Sequence, residues 1–442
     1  MNAAPPVYLL VEEAFRELDA RVRIGVHCLA EGRPVLIGQQ WWFFANASRL
    51  RPGVMLLKGN NDVQTRMMAR IKQFGHKTAS IEEEAFGLAK CDNERLFADN
   101  ADENCDLFLV QGAAHKVFLE ALFPSRSGGI VVTGNPRVDV LRTATQEDRE
   151  VHKTEIQARF ARFALVNTNY GQVNPHDHDC LNYFNRCLAV GTYRSDDPKD
   201  IERFKRMMLW ERGNFDAMVS LIAKLRQTIP DLPIVIRPHP SEWVERWEQA
   251  YGDVDGVYVV KDRDYLSWIE TALVTLHTSC TTGLEAFFLG ARALSLTPGS
   301  PALNESFLSN HTNPCFRRPE EAASAVAMLH YDNNPFHWNH TEHAEAWKPY
   351  LSIYPTASSA QRIADALCQL PTISGDPHCT LQAEPMDYIS APLFGERAKK
   401  ISITRDEFEA NWRKQSRLAG IETLPEIREI GASVFMVQEV GV

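Results

Sequence analysis

"LVTLHTSCTTGLEAFFLGARALSLTP" spans Leu273–Pro298 and decides the fold. An apolar run ends at His277, five hydroxyl or thiol residues follow, and Gly283 opens a helical stretch. A second apolar run begins near Ala293. A strand, a helix and a strand at this spacing form a crossover between parallel neighbours. Upstream, "LPIVIRPHP", helical "SEWVERWEQAYG" and "GVYVVKD" repeat the unit over 232–262, and "FALVNTNY" (163–170) adds another strand. Residues 198–228 read as one or two long helices.

The first third has the same rhythm. The strand-like runs are "VYLLVE" (7–12), "PVLIGQ" (34–39), "GVMLLKG" (53–59), "KTASIEEE" (77–84), "CDLFLVQG" (105–112) and "GGIVVTGNP" (128–136). Helical patterns lie between them, at 17–32, 62–75 and 113–123. Such alternation predicts parallel sheets covered on both faces. We expect an α/β protein with a first unit at 1–150 and a second at 151–375. Residues 376–442 would form a C-terminal extension packing back on the first unit, with one helix at "RDEFEANWRKQSRLAG" (405–420).

The 442 residues are 44% hydrophobic and 24% charged, a globular composition. The net charge of -10 argues against a nucleic-acid partner, which needs a basic footprint. Nine scattered cysteines form no C-x-x-C pair and read as reduced thiols. The start carries no secretory signal pattern. No run approaches the roughly 18 apolar residues of a membrane span. A cytoplasmic protein is expected, with peripheral contact at the inner face of the inner membrane left open. "RAKKISITR" (397–405) is one basic stretch for such contact, against the plainer reading of a solvated face.

Open α/β sheets bind ligands beyond the carboxyl ends of their strands. In "HTSCTTGLEAFFLG", hydroxyls and N–H groups at a helix start make an anion site. The plain alternative is a capping box between Thr282 and Glu285. In "IVIRPHPSEWVER" (234–246), the prolines after Arg237 and His239 hold both residues extended, and Ser241 is placed to cap the next helix. "TGNPRVDVLR" (133–142) turns at Asn135-Pro136 and puts Asp139 in a first helical turn, as a cap or as a carboxylate aimed at a cleft. Glu82, Glu83 and Glu84 end another strand, as a solvated turn or as acid/base groups. The histidine clusters "NPHDHDC" and "FHWNHTEH" lack zinc spacing, so no metal is expected.

Together "RPHPSE" and "HTSCTTGLEAFFLG" resemble the paired His-Pro and Ser/Thr motifs of CMP-sugar-using glycosyltransferases of the GT-B type. "VEEAFRELDARVRIGVHCLAEGRPVLIG", "LLKGNN", "SIEEEAFG", "TGNPRVDVLR" and "VNTNYGQVN" look like the bacterial surface-carbohydrate biosynthesis proteins. That group is similar to the retaining β-Kdo transferases of capsule and O-antigen assembly. The resemblance implies two Rossmann-like domains whose parallel sheets face across a cleft. It implies a CMP-Kdo-type donor, a glycan or lipid-linked glycan acceptor, and no cofactor. His239, Pro240, Thr278, Ser279, Thr281, Thr282, Glu285 and Asn169 would hold the donor nucleotide, with Arg237 on its phosphate or on the sugar carboxylate. Lys58 and Asn135 would position the sugar. Asp139 would be the nucleophile of a double displacement, and Glu83, or a neighbour such as Glu84, the acid/base. A CDP-polyol phosphotransferase, a sugar-nucleotide epimerase and a non-catalytic assembly subunit remain alternatives.

Overall fold

The computed structural model describes residues 4–89, 96–143, 149–189, 191–262, 264–331, 345–371, 401–422 and 425–439. Two compact units emerge: Met1–Phe86 with Glu94–Thr143 and Leu351–Val442, and Gly87–Asn93 with Ala144–Tyr350.

The first unit is built on eight strands. They are β1 (Val7–Val11), β2 (Val35–Gln39), β3 (Val54–Leu57), β4 (Lys77–Ile81), β5 (Leu107–Val110), β6 (Ile130–Val132), β13 (Pro425–Gly431) and β14 (Val434–Glu439). Their order is β13-β14-β2-β1-β3-β4-β5-β6. The six central strands are parallel. Every residue of β1, β2 and β3 is buried, because helices cover both faces. Helix Ala14–Ala30 covers one face, with the helices Ser359–Gln369 and Arg405–Ala419. Trp42, Phe43, Met68, Leu119 and Phe123 cover the other.

The second unit carries β7 (Ala164–Asn167), β8 (Ile234–Arg237), β9 (Val257–Val259), β10 (Val274–His277), β11 (Ala293–Leu296) and β12 (Cys315–Phe316). All are parallel, in the order β9-β8-β7-β10-β11-β12. In chain order this is the 3-2-1-4-5-6 arrangement of a dinucleotide-binding Rossmann sheet. Helix Pro198–Thr228 packs on one face with Trp247 of helix Val244–Tyr251. Helices Glu150–Arg159, Tyr265–Thr271 and Thr281–Leu289 contribute to the other. The sheet order therefore reverses between β7 and β10.

Three local expectations change. Residues 351–371 belong to the first unit, not the second. Ala360, Ile363, Ala364 and Leu367 put an apolar stripe from helix Ser359–Gln369 onto helix Ala14–Ala30. The tail holds a hairpin as well as a helix: β14 pairs antiparallel with β2, so the tail closes an otherwise open sheet edge. Ser241 does not cap a helix, since that helix starts at Val244 and the Ser241 hydroxyl bonds His239 instead. "FHWNHTEH" and Arg397–Lys400 of the basic stretch lie outside the described residues. No described helix is long and apolar enough to cross a membrane.

Trp412, from the tail helix, is 1% exposed in the first core, and Phe408 stacks on Phe435 at 4.2 Å between ring centroids. Trp412→Ala should cost about 3–5 kcal/mol of stability by opening a cavity. Thermal unfolding measures it. An unchanged midpoint would mean that the tail helix is dispensable to this core.

Candidate functional site

The central parallel strands of the first unit run β2-β1-β3, so their order reverses between β1 and β3. Glu12 follows β1 and Lys58 follows β3, and their side chains form an ion pair. Lys58 also lies 3.8 Å from Glu84, which is exposed. Burial would lower the Lys58 ammonium, but Glu12 and Glu84 outweigh it and hold the pKa above its usual value. Glu83 Oε1 meets Arg21 Nη2 at 3.1 Å, and Arg21 Nε donates to Leu10 O. The expected acid/base is thus tied to a fully buried arginine.

Glu82 is the carboxyl best suited to carry a proton. Its Oε2 accepts the Asn60 N–H at 3.1 Å, and burial together with Glu84 pushes it up to about 8. Gly59 makes this approach feasible, because a Cβ there would sit 2.9 Å from the Glu82 carboxylate oxygens. Glu17 accepts the Glu12 N–H, and burial with nearby Glu83 raises it to about 7. Glu17 and Arg21 lie on the first helix, so their charges read in sequence as an ordinary solvated stripe. Their burial is a tertiary fact.

Asn135 and Asp139 lie elsewhere in the unit's bonding network. Asn135 Oδ1 accepts the Arg137 N–H in a local turn, and its Nδ2 is 3.4 Å from Gln111 Oε1. Gln111 Nε2 in turn donates to Ala85 O, which braces the Glu82–Ala85 turn. The Asp139 carboxylate is engaged within its own unit. Its Oδ2 accepts the Ala360 N–H at 2.8 Å at the start of helix Ser359–Gln369. Burial raises its pKa against the lowering effect of that bond, of Ser359 and of Arg23. This is helix capping.

In the second unit, β7 and β10 meet at the reversal. Asn169 Nδ2 donates to Thr278 O, and Thr278 Oγ1 is within reach of both Asn169 Oδ1 and Tyr170 OH, each at 3.1 Å. Ser279 holds a left-handed backbone (φ 57), strained for a serine, and its Oγ accepts from Asn310. The alternative of a Thr282–Glu285 capping box is absent: helix Thr281–Leu289 has Cys280 at its N-cap with no side-chain cap bond. Glu285 instead accepts from Tyr265 OH at 2.7 Å. Thr281 is exposed, and the Thr282 Oγ1 is buried without a hydrogen-bond partner among the described residues. His277 lies under this helix, close enough that a Cβ on Gly283 would sit 2.1 Å from its Nε2. Burial drives the His277 pKa down to about 3, so the ring is neutral.

His239 and Glu242 close a β-turn with Pro240, exposed, at its second position. His239 Nδ1 accepts the Ser241 N–H at 3.1 Å, which leaves the ring proton of the neutral form on Nε2. The turn rests on Glu242, the last residue of the RPHPSE motif, to which the sequence assigned no role. Its Oε1 accepts from Thr168 Oγ1, Tyr170 N and His239 N; its Oε2 accepts from Trp247 Nε1 and Asn174 Nδ2. Burial raises its pKa and those bonds pull against the rise. Arg237 donates Nε and Nη2 to Asp262 O at 2.9 and 2.6 Å and lies 5.3 Å from the Tyr265 ring centre. In "NPHDHDC", His178 stacks on Trp243 and Asp177 pairs with Arg186. Among the described residues no group of three His, Cys, Asp or Glu could hold a metal ion.

Neither a family model nor a curated protein matches the sequence. Solved structures do. An S. aureus MnaA–UDP co-structure matches over 81% of this chain and 95% of that chain, at 13% identity and TM-score 0.52. The UDP-GlcNAc 2-epimerase of Methanocaldococcus jannaschii matches over 82% and 99%, at 12% identity and TM-score 0.51. That of Neisseria meningitidis, bound to UDP-GlcNAc, matches over 82% and 99%, at 13% identity and TM-score 0.50. Likeness at such identities establishes the fold: a two-domain α/β protein of the GT-B type.

The Glu82 shift has a definite sign. Folded Glu82 keeps its proton to about pH 8, whereas the unfolded carboxyl, at its ordinary value of 4.5, has already lost it. The native state therefore binds more protons in that window, and stability falls as pH rises through it. Glu82→Gln, which mimics the protonated form, should flatten this fall when urea unfolding is followed from pH 5 to 8.5. Parallel profiles for wild type and variant would place the Glu82 pKa near its ordinary value.

Proposed function

We propose that the protein is a glycosyltransferase that takes a sugar from a nucleotide-activated donor and adds it to a bacterial surface glycan. The observation that carries this reading is Glu82, which follows β4, accepts the Asn60 N–H beyond β3, and is held by burial and Glu84 in its protonated form to about pH 8 against the pull of Lys58. A protonated carboxyl can act as general acid towards a leaving oxygen, and once it has given up that proton it can act as the base that takes one from the entering hydroxyl. The donor nucleotide is assigned to the second unit. Thr278, Ser279, Thr281, Thr282 and Asn169 line its reversal point, His239 presents Nε2, and Arg237 supplies positive charge. The uncapped start of helix Thr281–Leu289 suits a phosphate. Motif resemblance favours a CMP-activated ulosonic acid such as Kdo.

A second reading is turnover of a UDP-activated neutral sugar. The acidic balance around Lys58, with Glu12 and Glu84 both drawn to it, suits a neutral sugar better than an anionic one. The solved neighbours include one bound to UDP-GlcNAc. Incubation with CMP-Kdo or UDP-GlcNAc, with product nucleotide and epimer measured separately, distinguishes the two. The first reading predicts CMP release that depends on an acceptor.

Glu82→Gln should slow turnover by about 10²–10⁴-fold while nucleotide binding is kept. Full activity in this variant would remove Glu82 from the chemistry. Asp139→Asn separates the two roles of that residue. A cap loses thermal stability and keeps turnover, whereas a nucleophile loses turnover at an unchanged melting temperature.

A further inference from the structure

Two aspartates follow β9, and one histidine holds both. His152 Nε2 lies 2.9 Å from Asp262 Oδ2, and His152 Nδ1 lies 2.8 Å from Asp264 Oδ2. Nδ1 is hydrogen-bonded to Asp264 and Nε2 faces Asp262 as an ion-pair contact; an unprotonated nitrogen at either place would set a lone pair against a carboxylate, so the two contacts together favour the imidazolium. The carboxylates have further tasks. Asp262 Oδ2 accepts from Trp268 Nε1 and its Oδ1 from Asp264 N; Asp264 caps helix Tyr265–Thr271 through Ser267 N and Ser267 Oγ. The same loop supplies the Asp262 carbonyl that takes two Arg237 N–H bonds, and it leads into Tyr265, whose ring lies by the guanidinium.

We propose that His152 is a positioning residue for Arg237: its imidazolium clamps Asp262 and Asp264 and so fixes the loop that aims the guanidinium. The charged groups facing it are Asp262 and Asp264 from that loop and Glu155 from its own helix. Arg149, one turn ahead on the N-terminal side, is engaged by Glu270 of the adjoining helix. Those acids raise the His152 pKa against the lowering effect of burial. Deprotonation would turn one ring nitrogen towards a carboxylate as acceptor against acceptor, and one of the two contacts would become repulsive. The consequence is a donor affinity that falls as pH rises through the His152 titration. In that consequence the proposal rests on Arg237 serving the donor phosphate.

The test has two arms. In the first, ring resonances of isotopically labelled histidine in the full chain are titrated, with His152→Gln identifying the signal, and the Arg237 Nε–H resonance is followed alongside. The expected result is a His152 pKa above its ordinary 6.5 and an Arg237 signal that broadens in His152→Gln. A pKa at or below the ordinary value, or an unchanged Arg237 signal, overturns the clamp whether or not any nucleotide binds. In the second arm, calorimetry measures CMP-N-acetylneuraminate and UDP-N-acetylglucosamine, probes whose phosphate esters do not titrate between pH 6 and 9. Wild-type affinity should weaken about tenfold across this range, the effect of losing one charge-assisted bond. His152→Gln should bind weakly at every pH, and His152→Arg should stay tight at pH 9. A His152→Gln profile parallel to wild type overturns the proposal. If neither probe binds while the first arm succeeds, the clamp stands and the donor reading fails.

Discussion

Parallel strands cannot be joined by tight turns, and most of what is distinctive here follows from that. Each strand must be followed by a crossover, so all strand ends of one kind gather on one edge of the sheet. Where the strand order reverses, neighbouring crossovers leave for opposite faces and the loops part. In the second unit this happens between β7 and β10. There Asn169 and Thr278 bond each other and mark where the loops separate. In the first unit it happens between β1 and β3, where Glu12 meets Lys58. The chemistry-bearing residues gather at these two places because the topology makes them the open ones.

Buried charge keeps the loops in shape. Glu242 receives five donors from two strand-end loops and a helix, so the His239 turn is held by a carboxylate rather than by apolar packing. Removing one partner from such a network is costly, because the remaining groups stay buried and unsatisfied. Arg21 and Glu83 do the same for the acidic turn of the first unit. The pair holds Glu83 in place, while burial and Glu84 outweigh the pull of Lys58 on neighbouring Glu82 and leave it as the carboxyl that retains a proton.

The strand-helix alternation was legible in the sequence because fully buried strands are continuous apolar runs. β1, β8 and β10 stand where those runs are. Helix Arg405–Ala419 was also legible, and Thr404 with Glu407 completes its capping box. The hairpin β13–β14 was not, since the charged residues of β13 leave it no apolar run and the short run Val434–Val437 gains a core only by pairing with β2. The strand-end residues were found as a set, but their bonds were not. Thr282 and Glu285 satisfy a capping pattern in sequence, yet the Tyr265 hydroxyl, contributed by another helix, takes Glu285. Asp139 and Ala360 are 221 residues apart, and no local pattern announces their contact. Glu17 and Arg21 went unnoticed for a similar reason: an acid or a base on a helix looks solvated until its neighbours are known.

Nucleotide binding at the β7/β10 reversal of the second unit is the central claim. A crystal structure of the full chain with CMP bound tests that directly. The predicted result places the phosphate at the N–H groups of Thr281 and Thr282, within reach of the His239 ring, with the nucleoside over the ends of β7 and β10. Nucleotide bound anywhere else on the chain would contradict the account, as would failure to bind at millimolar concentration.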